Sequence, residues 1–327
     1  MMSTNKKTIL ALAPMAGYTD SAFRIMCLKN GADLVYTEMI SAEGLARQNK
    51  KTLKMLEFLP GEKNVVVQLF GTNPEAFGKA AKYIDTLSKT TRSLVRQLAD
   101  QDKLLGIDIN FGCPAKKVFH TGAGAALMNN KKLAREIVIA VLKNTKLPVS
   151  IKIRSQVKDT TAAEFIKYLK DLPIAMVMVH GRTLAQGFNG AINYEMIKKI
   201  KKLLPQTIVL GNGGINSPAD AKIILTKTGC DGIGIGRGAL GQPWIFSQVC
   251  HSDDSDGHRG RKNLVVDWKF IKKHILIHAQ LFLKQNDNLI PLRKHLVHYV
   301  KGLPRASELR QKLIQVETLN ELKKILR

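Results

Sequence analysis

The chain has 327 residues, of which 45% are hydrophobic, and this fraction excludes a mostly disordered protein. Lys and Arg number 51 against 26 Asp and Glu, so the net charge is +25, which indicates a polyanionic partner, either nucleic acid or an anionic membrane surface. No apolar run reaches the roughly 18 residues of a transmembrane helix, and the amino-terminal residues lack a signal-peptide pattern, so we expect a cytoplasmic protein that does not enter a membrane.

Eight short runs rich in Val and Ile recur along the first three quarters of the sequence. They span residues 9–15, 33–39, 64–70, 106–110, 149–154, 175–180, 207–211 and 232–237. Segments with helical spacing lie between them, such as 130–144 and 194–204, and Asn216-Ser217-Pro218 is typical of a helix start. Eight alternating units over about 245 residues match a (β/α)₈ TIM barrel. A doubly wound sheet is the alternative, but its glycine fingerprint does not follow the first run, where residues 13–17 read APMAG.

The pattern changes after residue 250. Residues 251–261 (HSDDSDGHRGR) are polar and glycine-bearing, which is typical of a linker. Only helical patterns follow, at 265–285, 291–301, 307–316 and 318–326. We therefore predict a barrel domain over residues 1–250, a linker over 251–261 and a small all-helical domain over 262–327.

Positive charge is concentrated at the carboxyl-terminal end. Residues 258–327 carry 16 basic and 5 acidic groups (net +11), whereas residues 1–257 carry 35 and 21 (net +14). A lysine-rich helix is often no more than a solvated surface. The higher charge density of this part nevertheless favours a role in binding a polyanion.

Polar residues follow the predicted strands repeatedly, at the rim where TIM barrels carry their functional groups. The strand ends supply Met15, Glu38, Gln68, Asn110, Lys152, Arg154, His180, Arg182, Asn212 and Arg237. One such residue could be an ordinary barrel-mouth hydrogen bond, but the whole set indicates a site. Lys152 and His180 would stabilise an anion or a carbonyl, such as a flavin ring or substrate oxygens.

The last two strand ends predict a phosphate site. Residues 211–214 (GNGG) and 234–238 (GIGRG) present backbone N–H groups without side chains, and Arg237 adds a positive charge. Glycines could also simply turn the chain at these places. Phosphate nevertheless binds frequently at the loops after strands seven and eight of such barrels.

The four cysteines have no CxxC spacing, so we expect no metal site and a reduced compartment. Cys27, Cys230 and Cys250 fit a packing role. Cys113 differs because it lies in Asn110-Phe111-Gly112-Cys113-Pro114, followed by two lysines and a run of small residues. Its thiol could act as a nucleophile or as a general acid.

Taken together, these strand-end residues resemble the FMN-dependent tRNA-dihydrouridine synthase family, most closely its bacterial B-type branch. The matching segments are APMAGYTD (13–20), VQLFG (67–71), INFGCPAKKV (109–118), GAGAAL (122–127), IKIR (151–154), HGRT (180–183), GNGGI (211–215), IGRGALGQPWIF (235–246) and RKHLVHYVKGLPRASELR (293–310). They cover nearly the whole chain.

The resemblance implies an FMN site in the barrel. Its residues would be Pro14, Met15 and Ala16 along the ring, Gln68 and Lys152 at its polar edge, His180 near it, and Asn212, Gly213, Gly214, Gly236 and Arg237 around the phosphate. The implied reaction reduces the C5–C6 double bond of a tRNA uridine. NADPH or NADH reduces the flavin, the flavin delivers hydride to C6, and Cys113 protonates C5.

The implied partner, tRNA, accounts for the charge. The target uridine lies in the D-loop region, and its base has to leave the stack to reach a barrel mouth. Candidate substrate contacts are Asn110, Arg154 and Arg182 in the barrel, and Arg293, Lys294, Lys301, Arg305 and Arg310 in the helical domain. We expect a monomer that requires no membrane and no metal.

Three places depart from the family pattern. Gly214 stands where the family has an Asp, Ser155-Gln156 replaces a Thr-Gly, and residues 88–103 form an extra segment of about 15 residues before strand four. Two other functions remain open. A small-molecule enzyme of the dihydroorotate dehydrogenase kind would not need the basic tail, and a non-catalytic RNA-binding barrel would not need Cys113, Lys152 and Arg237.

Overall fold

A computed structural model of the chain describes residues 8–95, 104–252 and 266–327. Eight parallel strands form its centre. They are β1 (Ile9–Leu12), β2 (Leu34–Tyr36), β3 (Val65–Phe70), β4 (Leu104–Phe111), β5 (Val149–Arg154), β6 (Met176–His180), β7 (Ile208–Asn212) and β8 (Gly232–Ile235). Because β1 pairs with both β2 and β8, and β2 pairs with β3, the sheet closes on itself. This closure confirms the TIM barrel and excludes the doubly wound sheet.

All eight predicted strands are present, but their ends differ from the predicted ones. The first strand ends at Leu12 rather than Met15, because Pro14 has no N–H to donate to a neighbouring strand. The last strand ends at Ile235, since a short 3₁₀ turn (Arg237–Ala239) begins there. Short two-residue strands also occur at Ile40–Ser41, Gln156–Val157 and Thr160–Thr161.

Helices follow the strands and cover the outside of the barrel. They are α1 (Ser21–Lys29), α2 (Ala42–Ala46), α3 (Lys50–Lys54), α4 (Pro74–Val95), α5 (Lys116–His120), α6 (Lys131–Asn144), α7 (Ala162–Lys167), α8 (Tyr194–Leu203), α9 (Pro218–Thr228) and α10 (Ile245–Ser252). The side chain of Ser217 caps α9 by accepting from Asp220 N, and Pro218 occupies its first turn, as the sequence predicted. The extra segment begins within α4, and its residues 96–103 lie outside the described residues.

The first two residues of the predicted linker belong to the end of α10, and residues 253–265 lie outside the described residues. The predicted domain boundaries stay predictions. Cys250 is exposed near the end of the same helix, so its predicted packing role is wrong. Val249 occupies the buried side, and the next residue points about 100° farther round the helix. Cys27 and Cys230 are buried as predicted.

Four helices form the tail over its described residues, 266–327, in the regions that the sequence predicted. They are α11 (Trp268–Phe282), α12 (Arg293–Tyr299), α13 (Ala306–Leu313) and α14 (Leu319–Ile325), with a 3₁₀ turn at Ile290–Leu292. Helix α11 packs against α1 of the barrel. No helix of the described residues is both long and apolar enough to cross a bilayer.

The core has two layers because neighbouring residues of a buried strand point to opposite faces. Leu10 and Leu12 of β1 face the helices, whereas Ala11 and, directly after the strand, Ala13 face the barrel interior. The helix-facing layer continues without interruption into the tail, where it includes Ile275.

Candidate active site

Alternation along the strands places a column of polar side chains inside the upper half of the barrel. The lower interior is apolar and contains Tyr36, Val66 and Met178. Two residues farther along their strands, on the same face, come Gln68 and His180. The carboxyl end of the barrel is therefore polar, and it is the end at which such barrels carry their sites.

A cavity of about 240 Å³ lies at this end, between the strand termini. It is lined by Ala13, Pro14, Met15, Lys152, His180, Arg182, Phe188, Asn212, Gly213, Gly214, Ile215, Asn216, Gly234, Gly236, Arg237 and Gly238. Most of the predicted cofactor residues are thus brought together, whereas Ala16 and Gln68 are not part of this lining. Arg182, predicted as a substrate contact, is part of it. Phe188 and Asn216 were missed by the sequence reasoning.

Glycines shape the wall formed after β7 and β8. Gly213 and Gly214 have φ of 106° and 71°, in the left-handed region that favours glycine. At Gly238 a Cβ would lie 2.0 Å from the carbonyl oxygen of Ile215, so the two loops can approach each other only because no side chain is present. Asn212 joins the strands by donating from Nδ2 to the carbonyl of Gly234 at 2.6 Å.

The cavity carries a strong positive field. Burial, together with the nearby cations Lys152, Arg154, Arg182 and Arg237, lowers the pKa of His180 to about 2. The ring is therefore neutral. Its Nδ1 accepts the backbone N–H of Arg182 at 3.2 Å, which places the remaining proton on Nε2. His180 can thus donate a hydrogen bond without carrying a charge.

The pKa of Lys152 is also shifted from its ordinary value. Burial and the charge of Arg154 lower its pKa to about 8, against the opposing effects of Asp108 and Cys113. Among the described residues, none that lines the cavity is acidic. An anionic ligand would therefore supply the negative charge that the cavity wall lacks.

A buried hydrogen-bond chain connects β3, β4 and β5. Ser150 Oγ donates to Asp108 at 2.6 Å, Gln68 Nε2 donates to the other oxygen of Asp108 at 2.7 Å, and Asn110 Nδ2 donates to Gln68 Oε1 at 2.8 Å. Burial raises the pKa of Asp108 to about 6, although the hydrogen bonds from Ser150 and Gln68 oppose the rise. The sequence reasoning missed Ser150 and Asp108. Because side chains alternate along a strand, Ser150 shares a face of β5 with Lys152, and Asp108 shares a face of β4 with Asn110. The sequence could therefore have indicated both residues.

Cys113 follows β4 at the end of this chain of hydrogen bonds. Asn110 Oδ1 accepts from the N–H of Gly112 at 3.0 Å and from that of Cys113 at 2.9 Å. The residue is 9% exposed, and burial raises the pKa of its thiol despite the backbone hydrogen bond from Ala115 and the charges of Lys152 and Arg154. The thiol is therefore protonated at neutral pH, which suits a general acid better than a nucleophile.

Arg154 and Asn110 are committed to contacts within the protein. Arg154 is 2% exposed, and it donates to the carbonyls of Gly112, Thr183 and Gly187. It thereby connects the Cys113 turn to the loop after β6. The amide nitrogen and the amide oxygen of Asn110 likewise form hydrogen bonds within the protein. Their predicted contacts with substrate, and that of Gln68 with the flavin, stay predictions.

The loop after β6 covers one side of the cavity. Its Phe188 is 48% exposed, and the guanidinium carbon of Arg237 lies 4.3 Å from the ring centroid. Arg237 Nη2 also donates to the carbonyl of Phe188 at 3.2 Å. The turn after β8 and the loop after β6 are therefore in contact at the wall of the cavity.

Lys294 of the tail lies at the barrel mouth. Lys294 is exposed, and its Nζ lies 5.5 Å from the ring centroid of Tyr18, in the loop after β1. Lys301 and Arg310 are also exposed, and Arg305 pairs with Glu308 at the surface. Arg293 is different, because its guanidinium donates to the carbonyls of Val316 and Gln315 and to Glu317. These bonds fasten α12 to the residues that follow α13, and the predicted RNA contact of Arg293 stays a prediction.

Barrel and tail meet through a cluster of aromatic and imidazole rings. His278 of α11 stacks on Phe23 at 5.7 Å, and its Nδ1 lies 3.1 Å from the hydroxyl of Tyr299. His295 of α12 lies 3.6 Å from a carboxylate oxygen of Asp20, which also caps α1. The tail is thus attached next to the loop after β1 that supplies Pro14 and Met15 to the cavity.

Fold and site define a TIM-barrel protein with a cation-rich cavity and a cysteine turn at the carboxyl ends of its strands. The chain belongs to the dihydrouridine synthase family, since the family model described as "Dihydrouridine synthase (Dus)" matches residues 11–327. This match confirms the resemblance on which the sequence reasoning relied.

Curated relatives support the same assignment. The chain is 32% identical over 323 residues to a "Probable tRNA-dihydrouridine synthase" from Aquifex aeolicus, covering 98% of this chain and 95% of the relative. It is 34% identical over 312 residues to "tRNA-dihydrouridine synthase B" from Xanthomonas axonopodis pv. citri, covering 94% and 88%.

Solved structures show the fold only. Histamine dehydrogenase from Rhizobium sp. 4-9 matches with a TM-score of 0.50 and 12% identity, over 83% of this chain and 48% of that one. A 2-naphthoyl-CoA reductase matches with a TM-score of 0.52 and 12% identity, over 74% and 50%. The chain therefore spans about half the length of these structures.

Proposed function

We propose that this protein is a tRNA-dihydrouridine synthase that reduces the C5–C6 double bond of a uridine in the D-loop region of tRNA, with FMN as cofactor and NADPH as reductant. The observation that carries the proposal is the cation-rich cavity beside the Cys113 turn, on a barrel whose basic tail reaches the same mouth. We further propose that it acts in the cytoplasm as a monomer.

The residues of the cavity fit FMN. Lys152 and the Nε2–H of His180 provide donors for the electron-rich edge of a flavin. Gly213, Gly214 and Arg237 form a glycine-rich wall suited to a phosphate. Bound FMN would supply the hydride for C6 of the uracil, after two-electron reduction by NADPH.

The chain's own residues perform the remaining tasks. Cys113 donates a proton to C5 because its raised pKa keeps the thiol protonated, and the resulting thiolate recovers a proton from solvent. Asn110 orients the turn that carries this thiol. Overall, the uridine, one NADPH and one proton react to give dihydrouridine and NADP⁺.

The tail supports tRNA as the substrate, rather than a free pyrimidine. Lys294 lies on the mouth of the barrel, and Lys301, Arg305 and Arg310 add exposed cations on the same domain. A free pyrimidine would not require such a surface, whereas an RNA backbone gains affinity from each phosphate contact. A barrel that only bound RNA would not require a protonated thiol beside the cavity.

The decisive experiment measures dihydrouridine directly. Unmodified tRNA is incubated with the purified protein, FMN and NADPH, and dihydrouridine is mapped by reverse transcription and mass spectrometry. We expect one modified D-loop position and slower turnover with NADH. Absence of flavin binding by the purified protein would refute the cofactor assignment, and flavin binding with reduction of free pyrimidines but not tRNA would favour the dihydroorotate-dehydrogenase-like alternative.

A further inference from the structure

Arg182 has an unsatisfied donor inside the cavity. It follows β6 and lines the cavity together with Gly213, Gly214 and Arg237. Its Nη1 is buried, and among the described residues it has no hydrogen-bond partner. A buried, charged N–H group without an acceptor costs free energy, so this atom indicates a ligand that is not part of the protein.

The rest of the guanidinium is held in a fixed position. Its Nε donates to the carbonyl of Gly190 at 2.8 Å. Its Nη2 lies 3.7 Å from the position that a Cβ on Gly214 would take, so the group lies against the glycine turn. Among the described residues no carboxylate forms an ion pair with it. The orientation of Nη1 is therefore set by Gly190 and the turn, and not by an acidic partner.

Arg182 and Arg237 lie in each other's electrostatic field. Burial and the charge of Arg237 both lower the pKa of Arg182, although the group stays charged. Two guanidinium groups on one cavity wall repel each other unless an anion lies between them. A phosphate monoester carries up to two negative charges and several acceptor oxygens, which match two planar guanidinium groups.

We propose that Arg182 is a phosphate-binding residue of the FMN site, acting with Arg237 on the same phosphate, and not a contact for RNA. The proposal rests on the proposed function, since it takes FMN as the ligand of this cavity.

The test compares two ligands that differ only by the phosphate. FMN and riboflavin are titrated into flavin-free full-length protein, and affinities are measured by quenching of flavin fluorescence for wild type, R182Q, R182K and R237Q. R327Q, which removes an exposed arginine to which no binding role is assigned, is the matched control. We expect R182Q to weaken FMN binding by roughly 10- to 100-fold and to leave riboflavin binding unchanged. R182K should give an intermediate loss of FMN affinity, because lysine keeps the positive charge but lacks the planar set of donors of a guanidinium group.

Each other outcome overturns the assignment. Equal losses for both flavins in R182Q would mean that Arg182 only shapes the cavity through its bond to Gly190. If R182Q leaves FMN affinity unchanged but weakens tRNA binding, measured by filter binding, Arg182 contacts tRNA and not the phosphate of FMN. Failure of the wild-type protein to bind FMN would refute the proposed function itself, which this design distinguishes from failure of the Arg182 assignment.

Discussion

The side-chain oxygen of Asn110 accepts a hydrogen bond of 2.9 Å from the backbone N–H of Cys113. The other end of the same amide donates to Gln68, which is bonded in turn to Asp108. A chain of buried polar groups that spans neighbouring strands thus fixes the turn that carries the thiol. Buried networks of this kind hold a single geometry because any displaced member leaves an unsatisfied partner.

Replacing Asn110 by Ala should lower kcat by about 10- to 100-fold, because the Cys113 turn loses its acceptor while the thiol remains. FMN affinity should change little, since Asn110 does not line the cavity. N110D keeps an acceptor oxygen and should recover part of the lost kcat. Steady-state kinetics with tRNA and a flavin titration provide both readouts. A loss of FMN affinity as large as the loss of kcat would argue for general disruption of the barrel.

Replacing Cys113 by Ala should abolish most dihydrouridine formation, with a loss of about 10²- to 10⁴-fold for a missing general acid. NADPH-dependent flavin reduction should continue, because that step needs no proton donor to uracil. The matched control is C250S, which changes an exposed cysteine of α10. Full activity of C113A would exclude the thiol from the reaction.

Lys294 offers a test of RNA binding at the mouth. K294Q should weaken tRNA binding and reduce the slope of log affinity against log salt concentration by about 1, as expected for one lost phosphate contact. K202Q is the control, since Lys202 is exposed in the last turn of α8. If both variants show the same slope as wild type, Lys294 does not bind a phosphate.

Asp20 should make the fold sensitive to acid. Burial opposes its ionisation, but the nearby imidazole of His295 outweighs this and lowers the pKa of Asp20 to about 2, from an ordinary value of 3.8. A lowered carboxyl pKa stabilises the folded state above about pH 4, and this contribution is lost as the pH falls towards 2. We expect D20N, in which Asn can still cap α1, to be less stable by about 2 kcal/mol at neutral pH.

Urea unfolding of D20N and wild type at several pH values checks this prediction, and the two curves should converge near pH 2. His278, buried with its pKa lowered to about 3, destabilises both proteins in the same direction below about pH 6.5, so only their difference is informative. A difference that does not change between pH 6 and pH 2 would contradict the role of the Asp20 carboxylate.

Local sequence patterns predicted the strands, the tail helices and most of the cavity lining, because strand period and glycine content are local properties. Contacts between distant segments were not predictable in this way. The approach of Phe188 to Arg237 and the pairing of His295 with Asp20 depend on how loops far apart in sequence meet. The bonds of Arg293 to Val316 and Gln315 were likewise not predictable, because composition shows the charge of a residue but not its partners.

The uninterrupted apolar layer between barrel and tail has a consequence for how the protein unfolds. Removal of the tail would expose Phe23 of α1, and loosening of the barrel would expose the face of α11 that carries His278. The two parts that differ so clearly in the sequence should therefore melt in one cooperative transition, and neither is an independent module.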